Sequence, residues 1–308
     1  MRKYLAEFVA TFLVVFVAAG SIVSDVYLSQ FRVTDSFGPL GVALAYGLAV
    51  TAALAAVAHV SGGHANPVVS IAAYVTRRLS LSNLAGYVLA QVAGATAASL
   101  LLRRMSPAEP FEFAGGGAPA LGEGVGILEG LSIEVVLTFF LVLVVWGLMV
   151  DSRGPKSLAP VAIGVVVVVD SLAGGPFSGA AMNPARWLGP AVASGRFGAW
   201  PVWSLGPLLG ALLGAVLYET FFLAEESRPG VKAPEDGQLP EREVVAANSE
   251  PDRPVPVGPP ERPPVPPRPS EAPAVSPHPP EAPAVSPHPP EAPAVSPHPP
   301  EAPAVSPH

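Results

Sequence analysis

Two apolar stretches in this sequence are too short to cross a lipid bilayer, and each opens on an Asn-Pro pair, Asn66-Pro67 and Asn183-Pro184. Around them lie six longer apolar runs, about 4–26, 40–60, 82–104, 129–150, 157–175 and 200–223. A membrane-spanning helix needs roughly 20 such residues, and each run meets or nearly meets that length. The expected fold class is therefore an all-α integral membrane protein, with six transmembrane helices and two re-entrant half-helices set in the bilayer. The charged fraction, 13%, agrees; a soluble domain carries about twice as much. The first run follows Met-Arg-Lys and resembles a signal peptide at its start, but it carries Glu7 and lacks a clear cleavage signal. It is read as the first span.

From about residue 225 the apolar runs stop. A ten-residue unit, Glu-Ala-Pro-Ala-Val-Ser-Pro-His-Pro-Pro, starts at Glu271, Glu281 and Glu291, with a shortened copy from Glu301. Proline removes backbone donors, and the unit has no apolar face to bury, so 225–308 is expected to be a disordered Pro-rich tail beside a channel-like domain over 1–224. The tail histidines (His278, His288, His298, His308) are read as part of a solvated repeat, not as a metal site. With no cysteine in the chain there is no thiolate chemistry. No basic stripe suggests a nucleic-acid partner, no nucleophile–base set suggests an enzyme, and no cofactor or metal is expected.

The two halves of the membrane region repeat one another. Glu7, Thr11 and Phe12 match Glu134, Thr138 and Phe139 at the same offsets, and Gly47 precedes Asn66 by the same 19 residues that separate Gly164 from Asn183. Gly94-Ala95 and Gly210-Ala211 follow the two asparagines by 28 and 27 residues. Each half holds three long runs and one Asn-Pro segment. Three is odd, so the second half must enter the membrane inverted, which places a shared site near the midplane.

Asparagine is a preferred N-cap, and proline is favoured at the first helical position, where its missing N–H costs nothing. Each pair therefore reads as a helix start. A helix over 67–77 would be about 16 Å long at 1.5 Å per residue, half of a hydrocarbon core of about 30 Å. Inversion brings the two N-termini together, each carrying about half a positive charge. Cations and protons would meet a barrier there, while a neutral solute would not. The capping amides can also donate toward the lumen, turning a passing water's hydrogens outward and interrupting a proton-conducting chain. This reading predicts a passive pore for water and small neutral solutes. The alternative is a proton-coupled secondary transporter, which also uses inverted repeats and broken helices but needs a titratable midplane site where this chain has asparagines.

These residues resemble the aquaporin and glycerol-facilitator family, the major intrinsic proteins. Ser61-Gly62-Gly63-His64-Ala65-Asn66-Pro67-Val68 is similar to the family's first signature, and Ser178-Gly179-Ala180-Ala181-Met182-Asn183-Pro184-Ala185-Arg186 to its second. Glu7, Gln91, Glu134, Gly206 and Pro207 also sit where the family pattern expects them. The resemblance covers about 4–223 and implies a homotetramer with one pore per subunit. It carries the pore motif onto Asn66, Pro67, Val68, Asn183, Pro184 and Ala185, and the selectivity filter onto Tyr46, Ser171, Ala180 and Arg186. It also implies that Glu7 and Glu134 hold the re-entrant loops by accepting backbone hydrogen bonds. His64, with His59, is read as loop scaffolding.

Three departures stand out. The first motif ends in Val68 rather than alanine, added bulk that would narrow or alter the waist. Family water channels generally have His at the place of Ser171, and glycerol channels generally have two aromatics in the constriction with Asp after the Arg; here Trp187 follows Arg186. Ser171 and Ala180 are small, so the opening is expected to be wider than a strict water filter and to pass solutes such as glycerol or urea. Asp170 lies outside the family pattern; a helical step of about 100° from Ser171 turns it from the lumen, and pairing with another helix is expected. The basic residues Arg2, Lys3, Arg77, Arg78, Arg153 and Lys156 outnumber Arg32, Arg103, Arg104 and Arg196 on the other side. The excess predicts cytoplasmic termini in a multi-pass cell-membrane protein.

Overall fold

The computed structural model describes residues 1–32 and 35–223. The expected tail over 225–308 lies outside the described residues. In chain order the helices are α1 (Arg2–Val26), α2 (Gly38–Ser61), the short α3 (Pro67–Val75), α4 (Leu81–Met105), α5 (Ala108–Phe113), α6 (Ile127–Val145), α7 (Ala159–Ser178), the short α8 (Pro184–Ser194) and α9 (Trp200–Phe221). Among the described residues six of these are long and apolar enough to cross a membrane, and α3 and α8 are not. The ends of α1 and α6 run on into π-helical turns, Tyr27–Phe31 and Trp146–Val150.

The sequence repeat is also a packing repeat. α1 packs on α2 and α4 as α6 packs on α7 and α9, and α2 meets α7 between the halves. Gly47 and Gly164 make that meeting possible, since a Cβ on either would strike the carbonyl oxygen of the other. Gly94 lies against Phe8 O and Phe12 N of α1, and Gly210 lies against Val135 O and Phe139 N of α6. These are one contact repeated in the two halves. In lipid, close backbone approach through small residues replaces the hydrophobic force between helices, so a side chain at these places would pry the pairs apart.

The half-helices tie the halves together. α3 packs on α9, and α8 packs on α4, so each rests on the last span of the opposite half. At one end of the bundle Arg78 pairs with Glu219 at 2.6 Å, Trp146 Nε1 donates to the same carboxylate at 3.0 Å, and Arg153 donates to Phe222 O at 2.6 Å. Asp151, just past α6, takes bonds from Arg153, whose guanidinium holds its carboxyl well below the usual carboxylate range. Elsewhere Arg103 donates to Ala193 O at 2.7 Å and Arg196 to Glu112 O at 2.5 Å. These contacts bring Arg78 and Arg153 to the end of α9, and Arg103 and Arg196 to the ends of α8 and α5.

Candidate functional site

Each half-helix begins at an asparagine in extended backbone. Asn66 Oδ1 accepts from Val68 N at 3.1 Å, capping α3, and Asn183 Oδ1 accepts from Ala185 N at 3.0 Å and Arg186 N at 3.4 Å, capping α8. Pro67 and Pro184 fill the first helical positions. The side-chain amides also reach across the repeat. Asn66 Nδ2 donates to Met182 O and Asn183 Nδ2 donates to Ala65 O, both at 2.9 Å. The electropositive starts of α3 and α8 are therefore adjacent. An amide NH2 has two donors, so each asparagine keeps a second N–H with no partner among the described residues.

The approach loops need an unusual backbone to deliver those carbonyls. Ala65 (φ 48°) and Met182 (φ 52°) are both left-handed, a conformation costing a residue with a Cβ about 1–2 kcal/mol. Two fully buried carboxylates hold them there. Glu7 accepts from Ser61 Oγ at 2.6 Å, His64 N at 2.9 Å, Ala65 N at 2.7 Å and Gln91 Nε2 at 2.7 Å. Glu134 accepts from Ser178 Oγ at 2.8 Å, Ala181 N at 2.8 Å and Met182 N at 2.7 Å. Bonds to an ionised acceptor are the strong kind, enough to offset the strain. The His64 ring joins the same scaffold, with Nδ1 3.0 Å from Ser70 Oγ and an edge-to-face contact with the Tyr87 ring.

A second pair of supports was not anticipated from the sequence. Tyr87 OH donates to Ser61 O at 2.7 Å, and Trp203 Nε1 donates to Ser178 O at 2.8 Å. They are one job done in each half by chemically different side chains, so residue matching passes over them. The signal that finds them is their common position on α4 and α9, one turn before Gln91 and Pro207.

Of the expected filter residues, three are brought together. Arg186 is 2% exposed; its Cζ lies 5.7 Å from the Tyr46 ring centroid, and its Nη1 donates to Gly117 O at 2.9 Å. Tyr46 OH donates to Ala181 O at 2.9 Å, beside buried Ala180, which packs in the same apolar cluster as Tyr46. Ser171 stands on α7, and its Oγ is buried with no partner among the described residues. The Gly117 carbonyl comes from the connection between α5 and α6, whose path no spacing in the sequence reveals.

A family model described as major intrinsic protein matches residues 1–218, most of the chain. The chain belongs to the major intrinsic protein family. Aquaporin TIP4-4 of Zea mays is 42% identical over 228 residues, which cover 73% of this chain and 88% of that protein. The probable aquaporin TIP3-2 of Oryza sativa subsp. japonica is 43% identical over 242 residues, or 78% and 87%. The X-ray structure of the aquaglyceroporin from Plasmodium falciparum matches with a TM-score of 0.61 at 22% identity, covering 71% of this chain and 96% of that one, a likeness of fold. As a major intrinsic protein the chain is a multi-pass, passive membrane channel for water and small solutes. No observation favours the proton-coupled alternative.

The expectation for Asp170 needs correction, and Val68 has a definite packing place. Val68 does not bring its bulk toward the cluster of Tyr46 and Ala180. It packs in a separate one with Val142 and Ala211, where Ala185 occupies the matching place in the other half with Val15 and Ala95. Small alanines on α9 absorb the extra methyl groups. Asp170 does not pair with another helix. It is buried on the inward stripe of α7 with no hydrogen bond or ion pair among the described residues.

Proposed function

We propose that the protein conducts water and small uncharged solutes passively through each subunit of a homotetramer, and that cations and protons are turned back where α3 and α8 begin. The reading is carried by the reciprocal bonds from Asn66 to Met182 O and from Asn183 to Ala65 O. Two helix starts held that close each contribute about half a positive charge, and in a water-poor channel waist that charge is weakly screened. The second N–H of each asparagine is free to donate to water, which must then turn its own hydrogens away. A neutral molecule meets hydrogen-bond donors and no charge penalty.

Tyr46, Ser171, Ala180 and Arg186 form the selectivity filter in this reading. Arg186, always charged, adds a second barrier to cations and presents donors to solutes. The small side chains of Ser171 and Ala180 leave room for glycerol or urea beside water. The excess of basic residues at the end holding Arg78 and Arg153 supports an orientation with both termini in the cytoplasm, and a cell-membrane location is part of the same proposal.

Stopped-flow light scattering on proteoliposomes, with water, glycerol and urea as permeants, tests this. Water should pass well above the empty-liposome rate, solutes should pass measurably, and Arg186→Val should raise solute flux. Solutes at the empty-liposome rate beside fast water would refute the wide filter, and water at that rate would refute the channel.

A further inference from the structure

α7 turns Ile163, Val167, Asp170, Gly174 and Ser178 into the bundle, while Val165, Val169, Leu172 and Phe177 face outward. Asp170 is the one carboxylate on that inner stripe. It is 4% exposed, lies in the middle of a spanning helix, and its Oδ2 has no partner among the described residues. A buried acceptor without a donor is costly, and an ionisable group inside a membrane is a functional candidate by default.

The groups facing it cannot satisfy it. Asp170 interacts electrostatically with Tyr46 of α2 and Glu134 of α6, the two long helices packed against α7. Tyr46 already spends its hydroxyl proton on Ala181 O, and Glu134 accepts and does not donate. Two more polar atoms, Ser171 Oγ and Arg186 Nε, are also buried with no partner among the described residues, and the Arg186 guanidinium lies over the Tyr46 ring that Asp170 interacts with. The set is complementary: one donor, one acceptor, and one hydroxyl able to be either.

We infer that Asp170 is a specificity-determining residue of the pore, an acceptor that works with Ser171 and Arg186 to favour solutes carrying several N–H donors beside one carbonyl oxygen, the class of urea and primary amides. The carbonyl oxygen of such a solute takes the Arg186 Nε–H, and its NH2 groups give to Asp170 and Ser171. Water, small and able to turn either way, gains little from this arrangement. A polyol has hydroxyls but no strong carbonyl acceptor for Arg186. The inference rests on the reading that neutral solutes pass this pore at all.

The test compares wild type, Asp170→Asn, Asp170→Ala and Asp170→Glu in proteoliposomes, measuring urea, glycerol and water permeability by stopped flow. Water flux in each preparation serves as the internal standard, so the ratio is independent of the folded fraction. Loss of a bond to a charged acceptor should lower the urea-to-water ratio about tenfold in the Asn and Ala variants. The Glu variant, which keeps a carboxylate, should retain more of it, and the glycerol-to-water ratio should change less. Urea-to-water ratios within twofold of wild type in both Asn and Ala variants overturn the inference and leave the channel intact. Fast water and measurable glycerol flux with no urea flux in wild type overturn it alone, fast water with neither solute overturns it together with the wide filter, and absence of fast water in wild type removes the channel reading and this inference together.

Discussion

Glu134→Gln exchanges one carboxylate oxygen for an NH2 of nearly the same shape, and the consequences follow from what each oxygen accepts. Oε1 takes Ser178 Oγ and Ala181 N, both at 2.8 Å, and Oε2 takes Met182 N at 2.7 Å. Either orientation of the amide sets its NH2 against a backbone N–H. The cheaper one gives up Met182 N and keeps the other two bonds, now to a neutral oxygen. Bonds to a charged group contribute about 1.5–3 kcal/mol and neutral ones about 0.5–1.5, while an unmet buried donor costs about 1–3. The gross loss is then about 4–9 kcal/mol, of which cheaper burial of a neutral amide returns about half. A net cost of about 2–4 kcal/mol remains, falling on a loop whose Met182 is left-handed at φ 52°. For a domain of this size each kcal/mol lowers the melting temperature by about 2–4 °C, so a detergent melt should drop by about 5–15 °C. Water permeability per folded protein should fall severalfold, because Met182 O is the acceptor that orients Asn66. A variant that melts within 2 °C of wild type and conducts water equally would refute the claim that this carboxylate organises the loop.

Val68→Ala should cost about 1–2 kcal/mol, the usual toll for removing buried methyl groups, and leave water permeability within twofold; a severalfold rise would mean that Val68 narrows the lumen after all. Gly94→Val sets a side chain against Phe8 O and should separate α1 from α4, read as loss of the monodisperse peak in size-exclusion chromatography; a normal peak and yield would contradict that packing. Asp151 has a folded pKa below its ordinary value, so its contribution is present above about pH 4 and is lost as acid carries it down toward the folded value. Wild type should therefore lose melting temperature below about pH 4, while Asp151→Asn starts lower at pH 7 and falls less. Arg153 is half exposed, so the difference should be under about 1 kcal/mol. Parallel curves would dismiss the pair.

Much of this architecture was legible because lipid allows few solutions. Six runs of spanning length became six helices, and the two Asn-Pro pairs became helix caps, since both rest on local chemistry that tertiary context does not override. The inversion followed from counting spans, and Glu7 and Glu134 were visible as charges in places where only a structural or functional need retains one. Contacts made across the repeat were harder to see. Tyr87 and Trp203 share a role without sharing a side chain, and Gly117 meets Arg186 through a connection of irregular path. The packing of Val68 was not legible because a motif says where a residue begins a helix and not which residues of α6 and α9 pack beside it. Asp170 was misjudged because whether a buried carboxylate finds a partner depends on which polar groups the helices packed on α7 present to it, and spacing within α7 does not reveal that.

The central claim is that the helix starts at Asn66 and Asn183 set a positive barrier that cations cannot pass. It is tested most directly by measuring proton and sodium flux beside water flux in the same proteoliposomes, for wild type and for the double variant Asn66→Asp, Asn183→Asp. Two half charges amount to about +1, and two carboxylates would reverse the sign of the site. Wild type should pass water quickly with cation flux at the empty-liposome level, and the double variant should leak cations. Cation flux through wild type, or a double variant that conducts water yet still rejects cations completely, would contradict the account.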